Sequence, residues 1–227
     1  TDDEAERLSG LLARRLQGEP IAYIVGQREF FGLPFAVSDA VLIPRPDTEV
    51  LVELALERLP PGGRVLDMGT GSGAIAVALA HTRPDAVVTA LDVSSAALAV
   101  ARRNASANGV NITFMASDWF EALGTEKFDL IVSNPPYIAS GDRHLAEGDL
   151  RFEPAGALTD HADGLSALRT IVSGAARHLA SGAWLLMEHG YDQAAQVRGL
   201  LAEAGYGKVQ SWRDLAGIER VSGARLG

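Results

Sequence analysis

Apolar positions at the start of the chain follow a helical spacing. Leu8, Leu11, Leu12 and Leu16 recur at short intervals among charged residues, and Gly18 follows as a stop, which predicts one amphipathic helix over residues 2–17. Residues 21–37 are rich in β-branched and aromatic side chains broken by Gly32 and Pro34, the pattern of a small hairpin serving as a connector. From Arg64 onward short apolar runs alternate with helical segments, as in βαβ units that build a mostly parallel sheet. Strands are predicted at 65–68, 87–91, 112–115, 128–133, 183–187, 209–212 and 220–226, and helices at 47–58, 74–80, 95–108, 165–179 and 193–204. Ser94 is the expected N-cap of the helix that follows it, and Gly109 and Gly205 are expected helix stops. The reading is an α/β, Rossmann-like fold with a seven-stranded, mostly parallel sheet and an antiparallel last strand. It divides into a helical segment (1–18), a hairpin connector (19–46) and a main domain (47–227). The longest irregular stretch, 139–164, is the kind of loop that binds something.

Composition narrows the function classes. At 227 residues and 47% apolar content the chain buries one full core and a small appendage. It has no cysteine, and its five histidines are scattered, so disulfides and thiolate sites are excluded and no metal is expected. A net charge of -9 argues against a protein that tracks a phosphate backbone, so no stable nucleic-acid partner is expected. Apolar runs such as 74–80 fall far short of the ~20 residues of a bilayer crossing, so no membrane is expected either. The chain opens on Thr1 without a basic-then-apolar leader. The expectation is a cytoplasmic monomer whose N-terminus is truncated.

The first chemical signal is the turn Gly69-Thr70-Gly71-Ser72-Gly73 between a strand and a helix, where the backbone stays open to a close ligand. Asp92 ends the next strand, 19 residues after Gly73, where a carboxylate accepts from both hydroxyls of a ribose. A dinucleotide site expects its last glycine one residue later, so the spacing favours an adenosyl ligand without pyrophosphate. A ligand-free tight turn is the plain alternative. Asp67 resembles the acidic residue that class I methyltransferases place near the methionine end of their cofactor, with ordinary ion pairing as the alternative. Trp119, after the third strand, offers a flat face for adenine or serves as a core aromatic.

The strongest signal is Asn134-Pro135-Pro136-Tyr137 at the carboxyl end of the fourth predicted strand. Two prolines fix φ and remove two N–H donors, which leaves a rigid, acceptor-rich loop. An amide or aromatic amine is a poor nucleophile because its lone pair is delocalised, so catalysis rests on aiming that pair at a methyl donor. The Asn134 side-chain oxygen and the Pro135 carbonyl are suited to accept the two N–H hydrogens as positive charge develops. Tyr137 is placed to pack on the acceptor's flat face. No general base is named. A plain turn that closes a strand is the alternative.

These stretches, together with 42–49 (Leu-Ile-Pro-Arg-Pro-Asp-Thr-Glu), 18–24, 117–120 and 151–154 followed by Ala157-Leu158, resemble the release factor glutamine methyltransferases, the PrmC or HemK family, over nearly the whole chain. The resemblance implies the class I methyltransferase fold and S-adenosyl-L-methionine as donor, with S-adenosyl-L-homocysteine as product. The implied acceptor is the glutamine amide in the Gly-Gly-Gln loop of class 1 peptide chain release factors. It implies Asn134 to Tyr137 as the grip on that amide, and Gly69, Thr70, Gly71, Ser72, Gly73, Asp92, Trp119 and Asn134 as the cofactor site. The Arg45 and Glu49 region and the Phe152-Glu153-Pro154 loop carry the substrate assignment, although a surface pair at a helix start would look the same. The tetrapeptide is shared with enzymes that methylate adenine or guanine amines in DNA or RNA, which is the alternative activity.

Overall fold

The computed structural model describes residues 2–227. In chain order, α1 (Asp2–Leu16) and α2 (Ile21–Val25) precede the hairpin β1 (Gln27–Phe30) and β2 (Leu33–Ala36), and a 3-10 turn at Pro46–Thr48 opens α3 (Glu49–Arg58). Next come β3 (Arg64–Met68), α4 (Ala74–Thr82), β4 (Val87–Asp92), α5 (Ser95–Ala107), β5 (Thr113–Ala116) and β6 (Phe128–Ser133). A stretch of short turns contains α6 (Ala155–Leu158), and α7 (Ser166–Ala175), β7 (Leu179–Glu188), α8 (Ala194–Glu203), β8 (Gly207–Arg213) and β9 (Glu219–Arg225) complete the chain.

The seven long-range strands order as β5-β4-β3-β6-β7-β9-β8. All neighbours from β5 to β7 are parallel, and β9 inserts antiparallel between β7 and β8. Alternate strand residues feed two cores. Val65, Leu130, Val132 and Leu186 meet α3 and α4 on one face, while Leu66, Ile131, Leu185 and Met187 meet α7 and α8 on the other. Strand order reverses between β3 and β6, so a crevice opens at their carboxyl ends. The register Met68↔Ser133 sets Gly69 and Asn134 side by side there, and the Ser133 hydroxyl donates to the Met68 carbonyl at 2.7 Å.

The predicted seven strands, their direction and the antiparallel last strand are all present. Ser94 caps α5 by accepting from the Ala97 N–H at 3.2 Å, and Gly109 and Gly205 take positive φ at 69° and 83°. Two segments differ. Residues 21–25 form a helix rather than the start of a hairpin, because Pro20 sets the first turn and Gly26, at φ 77°, closes it. The helix predicted over 165–179 stops at Ala175, and β7 begins at Leu179, opposite Phe128, before a bulge. Apolar content alone does not separate the end of a buried helix from the start of a buried strand.

The N-terminal helix is amphipathic as expected, yet it has no buried residue, and Leu8, Leu12 and Leu16 are all exposed. Among the described residues no helix is long and apolar enough to cross a membrane, and no His, Asp and Glu cluster is arranged to hold a metal.

Candidate active site

A cavity of about 280 Å³ sits at the switch between β3 and β6, lined on one side by Gly69, Thr70, Gly71 and Ser72. Gly69 and Gly71 hold φ of 69° and 55°, and a Cβ on either would meet no atom, so conformation rather than crowding requires glycine there. Gly73 differs. At φ 83° its missing Cβ would lie 3.1 Å from the Ala101 Cβ, so it lets α4 approach α5 and does not line the cavity.

Asp92 braces this loop while facing the cavity. Its two carboxylate oxygens accept from the Gly71 N–H at 2.9 Å and the Ser94 N–H at 2.8 Å, and each keeps a lone pair for a further donor. Burial raises its pKa, against the pull of the Ser94, Gly71 and Val93 amides. Asp67 is absent from the lining. Fully buried behind the loop, it accepts from the Thr70 hydroxyl at 2.6 Å, and desolvation pushes it up to about 7 although Thr70 and the Ala76 amide at the start of α4 favour its charge. Trp119 both lines the cavity and packs on a core cluster, at φ 44°, held by the Ser117 hydroxyl donating to its carbonyl at 2.9 Å. Trp119 is therefore a core aromatic that also borders the cavity.

Across the cavity, Asn134 and Pro136 reach the lining, whereas Pro135 and Tyr137 do not. Pro135 is buried, and its carbonyl accepts no hydrogen bond among the described residues. The Tyr137 hydroxyl instead donates to buried Glu188 at 3.2 Å, and the Tyr137 carbonyl is taken by the Gln193 amide at 2.9 Å. Tyr137 thus anchors the loop internally through both its hydroxyl and its carbonyl. The Asn134 Nδ2 donates to the Thr48 hydroxyl at 3.2 Å, which turns its Oδ1 away from that bond and leaves it free to accept.

The remaining wall comes from two segments distant in sequence. Ala40, Val41, Leu42, Pro44 and Arg45 face Pro154, Gly156 and Ala157. Glu153, its side chain fully buried, joins them by accepting from the Ile43 N–H at 3.0 Å and pairing with the Arg45 guanidinium. Arg45 therefore pairs with Glu153 rather than making a surface pair with Glu49, which accepts from the Phe31 N–H at 2.9 Å. Residues 40–45 thus form a wall of the cavity. Sequence reasoning also missed Asn104, whose buried amide bonds both backbone groups of Ala36 and the Ser72 carbonyl, tying the hairpin to the glycine loop. Nothing in its sequence position signals this. Thr48 and Glu153 lay within stretches already singled out.

Residues 46–155 match the family described as methyltransferase small domain, and residues 1–26 match the PrmC N-terminal domain. The chain is 55% identical over 223 residues to the release factor glutamine methyltransferase of Neisseria gonorrhoeae, spanning 97% of this chain and 82% of that one. To the release factor glutamine methyltransferase of Bordetella pertussis it is 59% identical over 219 residues, spanning 95% and 81%. The chain belongs to the release factor glutamine methyltransferase family. A solved structure, the release-factor-specific protein-(glutamine-N5) methyltransferase of Alicyclobacillus acidocaldarius, superposes with a TM-score of 0.51 at 34% identity, covering 85% of this chain and 99% of that one. The catalytic domain of human Mettl16, at 17% identity and a TM-score of 0.67 over 87% and 76% of the two chains, shares the fold. Family membership brings methyltransferase chemistry with S-adenosylmethionine as donor.

Proposed function

We propose that this chain transfers a methyl group from S-adenosylmethionine to the side-chain amide N5 of the glutamine in the Gly-Gly-Gln loop of class 1 peptide chain release factors. The observation that carries the proposal is the placement of Asn134 beside the glycine loop, in one cavity, at the ends of paired strands. When bound, S-adenosylmethionine supplies an electrophilic sulfonium methyl, whose C–S bond breaks as the N–C bond forms. The open Gly69 to Ser72 backbone and the Asp92 carboxylate suit its adenosyl part, with Asp92 taking the ribose hydroxyls and Trp119 offering a face to the base.

Asn134 orients the acceptor. Its Oδ1 takes one amide N–H, and the unpaired Pro135 carbonyl, next along the chain though behind the cavity lining, is the second acceptor, so the nitrogen lone pair faces the methyl group. The same acceptors stabilise the positive charge that grows on nitrogen, which then releases its proton to water. The enzyme works as a monomer on a protein substrate, and the acidic balance of -9 sets it apart from proteins that grip nucleic acid.

The test is mass spectrometry of a purified class 1 release factor after incubation with this chain and methyl-labelled S-adenosylmethionine, with DNA and ribosomal RNA in parallel. One methyl on the Gly-Gly-Gln glutamine is expected. Label on nucleic acid alone would reassign the acceptor to a base amine.

A further inference from the structure

Glu188 is the last residue of β7, one position beyond the Met187↔Ser133 pair, so it stands beside Asn134 across the sheet. It is 1% exposed, carries an Oε2 with no hydrogen bond, and has no part in the chemistry above. A buried carboxyl is costly unless its interactions are useful. Two hydroxyls converge on it. Tyr137 donates to Oε1 at 3.2 Å, while the Thr48 hydroxyl stands beside the carboxylate, favouring its charge, without a hydrogen bond to it in this geometry. Thr48 in turn accepts from the Asn134 Nδ2 at 3.2 Å.

We propose that Glu188 is a positioning residue for methyl transfer, acting through Thr48 and Tyr137 to fix which way the Asn134 amide faces. An ionised carboxylate only accepts, so both hydroxyls must donate to it. With the Thr48 proton turned toward the unpaired Oε2 of Glu188, only the Thr48 lone pairs face Asn134. They select its NH₂ and leave Oδ1 for the substrate. The arm through Tyr137 holds the other end of the tetrapeptide to the same carboxylate. Burial pushes Glu188 up to about 7, with Asp47 adding to the rise and Thr48, Tyr137 and Arg220 opposing it, so at pH 8 the acceptor-only form prevails.

The inference rests on the proposed reaction, and wild-type turnover separates the two: a wild-type chain that leaves the glutamine unmethylated rejects the reaction. Glu188→Gln keeps the shape but brings an NH₂ that forces a hydroxyl to accept, which scrambles the polarity of the chain. At pH 8, with release factor titrated at saturating donor, kcat is expected to fall ~100-fold, the effect of a misaimed reactant. KM for the release factor and the Kd of S-adenosylmethionine should stay within about threefold. Thr48→Ser should keep wild-type kcat and Thr48→Val should fall to the level of Glu188→Gln, with the double variant Thr48→Val/Glu188→Gln no slower than either, because the residues act as one unit. Multiplicative losses in the double variant, or wild-type kcat in Glu188→Gln, would overturn the proposal. Donor binding reports folding, and if Glu188→Gln fails to bind, the Thr48→Ser and Thr48→Val pair decides.

Discussion

The two walls of the cavity are built on different principles. The glycine-loop wall is local, since Gly69 to Ser72 follow β3 directly and Asp92 is the last residue of the neighbouring strand. Most of its bonds are backbone N–H groups meeting one carboxylate. The acceptor wall is assembled from afar: Asn134 meets Thr48, Tyr137 meets Glu188, and Arg45 and Ile43 meet Glu153 across more than one hundred residues of chain. A wall made of backbone suits a ligand shared by many enzymes. A wall made of distant side chains can be retuned for one acceptor without disturbing the first.

The contrast predicts separable losses. Asn134→Ala removes the acceptor proposed for the substrate amide and should lower kcat by ~1000-fold, the scale of removing a group that acts on the transition state. Its donor Kd, measured by calorimetry, should change little, because the glycine loop and Asp92 are untouched. Asp92→Ala should do the reverse. It removes the bond from Gly71 and the charge-assisted bonds proposed to the ribose, so donor Kd should weaken by ~10–100-fold, with a smaller effect on kcat at saturation. A large kcat loss from Asp92→Ala at saturating donor would show that the two walls are coupled.

The same division explains what was legible in the sequence. The strands of the main sheet, the Ser94 cap and the glycine turn depend on periodicity and on neighbours a few residues away, which a linear reading captures. Helix α2 was hidden because Ile21 to Val25 look like strand residues and only the Pro20 and Gly26 boundaries say otherwise. The anchoring of Tyr137 is not legible because a motif names residues without their partners, and the buried Glu188 that takes its hydroxyl lies 51 residues away. Arg45 and Glu153 were each noticed, but their contact needs the folded chain. Asn104 sits in an ordinary helix, and only the approach of Ala36 and Ser72 gives it a role.

The Arg45 and Glu153 contact is the place to break the far wall alone. Removing Arg45 leaves a fully buried carboxylate with only the Ile43 N–H, so Arg45→Ala is expected to destabilise the fold by about 3 kcal/mol. Glu153→Ala leaves a guanidinium that still reaches water, since a third of Arg45 is exposed, and should cost less, about 1–2 kcal/mol. Urea titration of the two variants measures the difference. Equal losses would mean that the pair is no more buried in solution than an ordinary surface bridge.

The last effect is confined to a pH window and is expected at Asp67, behind the near wall. Its folded pKa lies at about 7, well above its ordinary value of 3.8, so the folded state holds a proton that the unfolded chain has released through that interval. The stability this contributes is fully present below pH 4, falls as pH rises, and is gone above 7. Asp67→Asn keeps an acceptor for the Thr70 hydroxyl and removes the titration, so Tm measured from pH 4 to 8 should decline less steeply than in the wild type. At pH 8 the variant should be the more stable of the two, because no buried charge then stands behind the glycine loop. Glu188, also pushed up to about 7, continues to titrate in that variant, so a residual slope is expected. A Tm profile unchanged by Asp67→Asn would mean that the carboxyl is already solvated in the native state, and that the near wall is looser than its hydrogen bonds imply.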